Sequence, residues 1–163
     1  MSKIRLLILL LINLSLFSCV NSQKENLGKL SVAYIGNEYD GLVLSNQLKQ
    51  YLNNFGMLDE SSNLQIQADV SHSNKLFITN IDNTSDRERI DSKINLKVYD
   101  NELGCLTYLY TNNVSQYYVL AASDKFISNK TAVDEIKLEN IEYLVKVFIN
   151  NIDDSILICN EEK

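Results

Sequence analysis

Leu64, Ile66, Ala68 and Val70 alternate with Gln65, Gln67, Asp69 and Ser71. The exchange returns downstream, where Ile90, Ile94, Leu96 and Val98 alternate with Asp91, Lys93, Asn95, Lys97 and Tyr99. Successive side chains of a strand point to opposite faces, so a period of two buries one face and wets the other. A chain patterned this way needs an apolar layer to cover that one face. Lys75 to Ile81 is more continuously apolar and prolongs the first strand past a bulge at Ser71-His72-Ser73-Asn74. Asp82 to Arg89 reads as a polar turn, and Asp100-Asn101-Glu102-Leu103-Gly104 as a hairpin. Cys105 to Asn112 then returns as a strand with Leu106, Tyr108 and Tyr110 on one face, which completes a three-stranded meander.

The covering layer is legible on both sides of the meander. Lys29 to Ile35 is β-branched and aromatic and reads as a first strand. Leu44, Leu48, Tyr51, Leu52 and Phe55 then fall at helical spacing, which predicts a helix over about 40–54 with Asp40 as N-cap and Gly56 just past its end. Val114 to Asn129 has weak periodicity and reads as a strand end plus loop. From Thr131 the pattern is helical again. Thr131 and Asp134 have the spacing of a capping box, and Ile141, Leu144, Val145, Phe148 and Ile152 form the buried stripe. Ser155 to Cys159 either prolongs this helix or forms a small last strand. The sum is an α+β chain, β-α-β-β-β-α, with two helices on one face of a sheet.

The amino terminus is of a different kind. Lys3 and Arg5 precede an unbroken apolar run from Leu6 to Ile12, extended by Leu14, Leu16 and Phe17, and polarity returns at Asn21. A basic start, an apolar stretch and a small residue before the processing point describe an export signal. The stretch is shorter than the ~20 apolar residues a membrane span needs. Leu16-Phe17-Ser18-Cys19 resembles the lipobox of bacterial lipoproteins, which implies cleavage before Cys19 and acylation of that residue. Several acyl chains hold a protein at a membrane where one holds it only marginally. The expected organisation is a signal over 1–18, a lipidated tether over 19–28 and one domain over 29–163.

Removing residues 1–18 leaves 145 of 163, enough for a single core. That segment holds two basic residues and no acids, so 13 basic and 21 acidic residues remain, a net charge of −8. An acidic domain without a long basic run is a poor nucleic-acid binder. Cys105 and Cys159 have no Cys-x-x-Cys spacing, which argues against redox or zinc chemistry. They either pair, as export permits, or lie buried as separate thiols.

No pattern for catalysis, metal or cofactor appears. His72 has no nucleophile or carboxylate partner in sequence and reads as a surface histidine. The sequence contains no phosphate loop or nucleophile elbow. The basic residues of the meander stand out instead. Lys75, Arg87, Arg89, Lys93 and Lys97 belong to strands expected to be neighbours, with Arg87 and Arg89 at a loop tip. A forked guanidinium there suits phosphate or carboxylate. Tyr117 and Tyr118 are candidates for a partner contact, because aromatic anchors are enriched at interfaces.

The order of these features resembles the lipopolysaccharide-assembly lipoprotein LptE family in its divergent, alphaproteobacterial-type versions. Four stretches carry the likeness: the lipobox at Cys19; the helix start Tyr39 to Leu48; Arg89 leading the strand to Asp100; and Ser115-Gln116-Tyr117-Tyr118 running into the last helix. Ala121-Ala122 stands where that family commonly carries a proline. The resemblance implies a mixed four-stranded sheet backed by two helices. It also implies an outer-membrane, periplasm-facing protein that plugs the β-barrel translocon LptD as a heterodimer and binds lipopolysaccharide. Val20 after the acylated cysteine fits sorting to the outer membrane. Lys75, Arg87 and Arg89 are then the candidates for lipopolysaccharide phosphates. A different adaptor class, such as a secretin pilot or envelope scaffold without a glycolipid ligand, is the alternative.

Overall fold

A computed structural model describes residues 28–36, 38–78, 86–120, 126–152 and 159. Its elements in chain order are β1 (Ser31–Val32), α1 (Glu38–Asn54), β2 (Leu64–Ile78), β3 (Asp86–Asp100), β4 (Cys105–Val119) and α2 (Phe126–Asn151). The sheet order is β1-β2-β3-β4, with β1 parallel to β2 and the other neighbours antiparallel. The architecture is the α+β order β-α-β-β-β-α, two helices with a mixed four-stranded sheet.

The core forms between the helices and one face of the sheet. Leu44, Leu48 and Leu52 of α1, Ile141, Leu144, Val145 and Phe148 of α2, and Ile152 just past its end are essentially inaccessible. They meet Ile66, Val70, Ile94, Leu96 and Val98 from β2 and β3. Full burial of one such aliphatic side chain contributes roughly 1.5–3 kcal/mol. Tyr108 and Tyr110 extend the core over β4, their ring centroids 6.2 and 5.4 Å from that of Phe148. Tyr51 ties the helices together, its hydroxyl donating to Glu142 at 3.1 Å. Phe55 falls past the end of α1 and stays more than a third exposed.

Helix α1 starts at Glu38, so Asp40 sits in its first turn and does not cap it. Gly56 ends α1 in the left-handed region at φ 67°. Gly41 is required by close packing: a Cβ there would lie 2.0 Å from the carbonyl oxygen of Gly36. The first strand is shorter than its composition suggests. Ser31 and Val32 pair with β2 and the Ala33 N–H donates to the Ile66 carbonyl just beyond them, while Leu30 bonds instead to Met57 and Asp59.

The three long strands depart from expectation in three places. Ser71 to Asn74 stay in unbroken register with Lys93 to Ile90, so the anticipated bulge is absent. The irregularity lies at Val98/Tyr99 instead, which sets Leu106 opposite Tyr99 and off the Tyr108–Tyr110 face. Strand β4 runs to Val119, because the β3 ladder carries it through a polar stretch that has no apolar alternation of its own. Helix α2 begins at Phe126, and Thr131 is therefore inside it, with its Oγ1 donating to the Ile127 carbonyl at 3.0 Å. Cys105 and Cys159 are joined by a disulfide, Cα–Cα 6.1 Å. The export signal, Cys19 and Ser155 to Ile158 lie outside the described residues.

Candidate functional site

The helices cover one face of the sheet. The odd-numbered residues of β2 and β3 line the other. The register aligns Lys75 with Arg89 and Tyr117, and Phe77 with Arg87 and Val119. The three cations singled out in the sequence thus come together at one end of the sheet. Arg87 and Arg89 belong to β3 itself and not to a loop tip, since the strand already begins at Asp86.

Phe77 is the centre of this cluster. Lys75 Nζ lies 5.3 Å and the Arg89 guanidinium carbon 5.4 Å from its ring centroid, within the range of a cation–π attraction. Tyr117 packs beside it at 6.1 Å. Arg89 is fixed by a two-pronged contact with Asp91, Nε at 3.0 Å and Nη2 at 2.9 Å from Oδ2, and by a hydrogen bond to Tyr117. The Ser115 hydroxyl donates to the other Asp91 oxygen. The Ser115 hydroxyl and then the Arg89 guanidinium hold the Asp91 carboxyl below the usual carboxylate range. Lys75, Arg87, Tyr117 and Val119 are exposed around this anchored arginine. Chemically, the patch offers cationic donors for phosphate or carboxylate beside an aromatic and aliphatic floor.

Tyr117 and Tyr118 point to opposite faces of β4, so only Tyr117 belongs to the patch. Tyr118 turns toward the helix side, where its hydroxyl donates to Glu88. Burial, and then the Glu88 carboxylate, push its phenol upward. The sequence pattern missed Phe77 and Asp91. Both occur in the right strands, but only the register places them against Arg89.

A second polar cluster lies on the helix side, and it corrects the reading of His72. This is not a surface histidine, for only 5% of its side chain is accessible. Its Nδ1 is 2.8 Å from Ser92 Oγ, and Ser92 also accepts from Asn140 Nδ2 at 2.8 Å. Gln116 Nε2 donates to Asn140 Oδ1 at 2.8 Å, which closes a chain across β2, β3, α2 and β4. Asp40 Oδ2 is 3.8 Å from His72 Nε2, and that nitrogen has no hydrogen-bond partner. Burial lowers the affinity of His72 for a proton; Asp40 opposes this and Lys137 adds to it. Serine, histidine and aspartate stand in line here. Ser92 is fully buried, however, and its hydroxyl is engaged by two partners, so no substrate can meet it. The cluster is a satisfied polar crossing of the core, short of one bond at Nε2.

No family model matches the chain, and no curated protein matches it by sequence. Solved structures do match in three dimensions. A minor lipoprotein from Acinetobacter baumannii superposes with a TM-score of 0.57 at 15% identity, covering 75% of this chain and 89% of the other. Rare lipoprotein B from Shewanella oneidensis matches with a TM-score of 0.50 at 11% identity, covering 77% and 95%. The fold is one that bacterial lipoproteins share.

Proposed function

We propose that this chain is a lipid-anchored envelope lipoprotein that acts by binding and assembly, not by catalysis. Acylation at Cys19 tethers the domain to the outer membrane, facing the periplasm. There it partners and plugs the β-barrel LptD, supports assembly of that barrel, and binds lipopolysaccharide on its way to the outer leaflet. The lipobox, the order of elements and the lipoprotein fold support this reading. The observation that carries it is the exposed Lys75–Arg87–Arg89 cluster around Phe77 and Tyr117 in an otherwise acidic domain. Phosphates of the glycolipid would meet the cations, and its aliphatic parts would meet Phe77, Tyr117 and Val119.

Charge reversal tests the site. R87E/R89E weakens lipopolysaccharide binding by about a hundredfold or more, on the scale of two charge-assisted contacts at roughly 1.5–3 kcal/mol each. Folding and co-purification with the barrel persist, because both residues lie on the solvent-facing side of β3. Unchanged glycolipid binding removes the site assignment. Recovery of a secretin ring in place of a barrel, when the tagged protein is pulled from native membranes, replaces the whole reading with the pilot or scaffold role.

A further inference from the structure

The face of the three long strands that the helices leave uncovered is charged against the rest of the chain. Its odd-numbered positions carry Lys75, Arg87, Arg89, Lys93 and Lys97 against Asp69 and Asp91, a net charge of +3. The whole chain is at −6, so everything outside this face sums to −9. Four of the five cations lie on β3, the middle strand of the three. Side chains two residues apart on one strand face are about 6.8 Å apart, so Arg87 to Lys97 marks a track of roughly 34 Å. The patch around Phe77 takes up only one end of it.

Toward the middle the face changes character. The register sets Ser71, Lys93 and Asn113 in one rung and Ser73, Asp91 and Ser115 in the next. An open hollow of about 410 Å³ lies over them, lined by Ser71, Ser73, Asp91, Lys93 and Asn113. That is the scale of a small-ligand site, roughly 300–1,000 Å³. Its two ends are already engaged. Asp91 is turned to Arg89 and Ser115, and in the rung beyond Lys93, Asn95 Nδ2 donates to Asp69 Oδ2 at 2.7 Å while Thr111 Oγ1 donates to Asn95 Oδ1 at 3.0 Å. Between these ends Ser71, Ser73, Lys93 and Asn113 are exposed, and their side chains have no ion pair or hydrogen bond among the described residues. No apolar side chain enters the three rungs. Protein interface cores are depleted in Lys, Asp and Ser. Sugar hydroxyls both donate and accept, as Ser and Asn do, and one unpaired ammonium among them favours a carboxylate.

We infer that the hollow at Lys93 binds an acidic sugar, with Lys93 meeting its carboxylate and Ser71, Ser73 and Asn113 meeting its hydroxyls. The inference rests on the glycolipid reading and gives that ligand a second site on the same face. Arg89 and Lys93 are four residues apart on one strand face, so the acidic sugar lies about 14 Å from the phosphates. The hollow is also set back about 20 Å along β2 from Phe77, well inside the end of the sheet where the described strands stop.

The test measures binding of the full-length lipidated protein, in detergent, to three probes. These are a phosphorylated glycolipid without further sugars, the same lipid extended by neutral sugars, and the same lipid extended by carboxylate-bearing sugars. The acidic probe should bind about tenfold more tightly than the neutral one, the scale of one charge-assisted contact. Lys93→Ala should abolish that ratio without weakening the sugar-free probe or lowering the melting temperature, and Lys93→Arg should keep it. Lys146→Ala removes the same charge from the exposed side of α2 and should leave the ratio unchanged. A ratio lost in both alanine variants is a net-charge effect and overturns the inference. Equal binding of the acidic and neutral probes by the wild type also overturns it, and leaves the phosphate patch standing. Failure to bind even the sugar-free probe removes the patch reading, and the inference with it. Loss of barrel co-purification in Lys93→Ala, with the probe ratio intact, assigns the hollow to the barrel wall instead.

Discussion

His72 shows what one buried ring does to a small domain. Its Nδ1 faces the Ser92 hydroxyl, which can donate only if that nitrogen is unprotonated, and burial disfavours the charged ring. The folded chain therefore takes up a proton less readily than the unfolded chain, whose histidine titrates near 6.5. The His72 contribution to stability is complete above that value and is lost as pH falls below it toward the depressed folded value. Melting temperature should thus decline as pH is lowered from about 7.5 to 5.5, and His72→Gln should flatten that part of the profile. Ser92→Ala probes the same network from β3. It leaves His72 Nδ1 and Asn140 Nδ2 each short of a partner in the core, and chemical denaturation should show a loss of about 1–3 kcal/mol.

At the scale of elements, the close junction between β1 and α1 is the most exacting. Gly41 lies within the first turn of α1 and against the Gly36 carbonyl, which is backbone and cannot rotate away. Gly41→Ala gains helix propensity in isolation, yet here it should destabilise the domain by roughly 1–3 kcal/mol through overpacking. Urea unfolding of the variant measures the sign, and a stabilised variant would mean the junction opens without cost. The meander teaches a related lesson. Its polar second half, Asn112 to Gln116, has little β pattern of its own, yet it is held as a strand by pairing with Ile94 to Ile90, where Ile90 and Ile94 belong to the alternating pattern of β3. That pairing brings Tyr117 to Arg89 and makes a patch of what reads as separate loop and strand residues.

For the whole molecule, the disulfide joins the start of β4 to the residues that follow α2, spanning 54 positions. Closing a loop of that length restricts the unfolded chain, so a Cys105→Ser/Cys159→Ser variant should lose roughly 2–4 kcal/mol. A thermal melt of the oxidised and variant proteins reads this directly. Equal melting temperatures would show that the helices and sheet hold the ends together without it.

By itself the sequence determined the element types, their order and the buried stripes of both helices, because periods of two and 3.6 are local properties of the chain. It also placed Lys75, Arg87 and Arg89 within the one meander. Only the tertiary structure decided the rest. Continuous pairing removed the expected bulge at Ser71–Asn74, lengthened β4 and drew Arg87 and Arg89 out of a turn into β3. Packing of α2 over β3 turned His72 from a surface residue into a core residue, since Ser92 and Asn140, 20 and 48 positions distant along their own contacts, supply its polar surroundings. The aromatic floor of the basic patch arises in the same way. It depends on which strand lies beside which, and that is settled by long-range hydrogen bonding and burial and not by any local pattern.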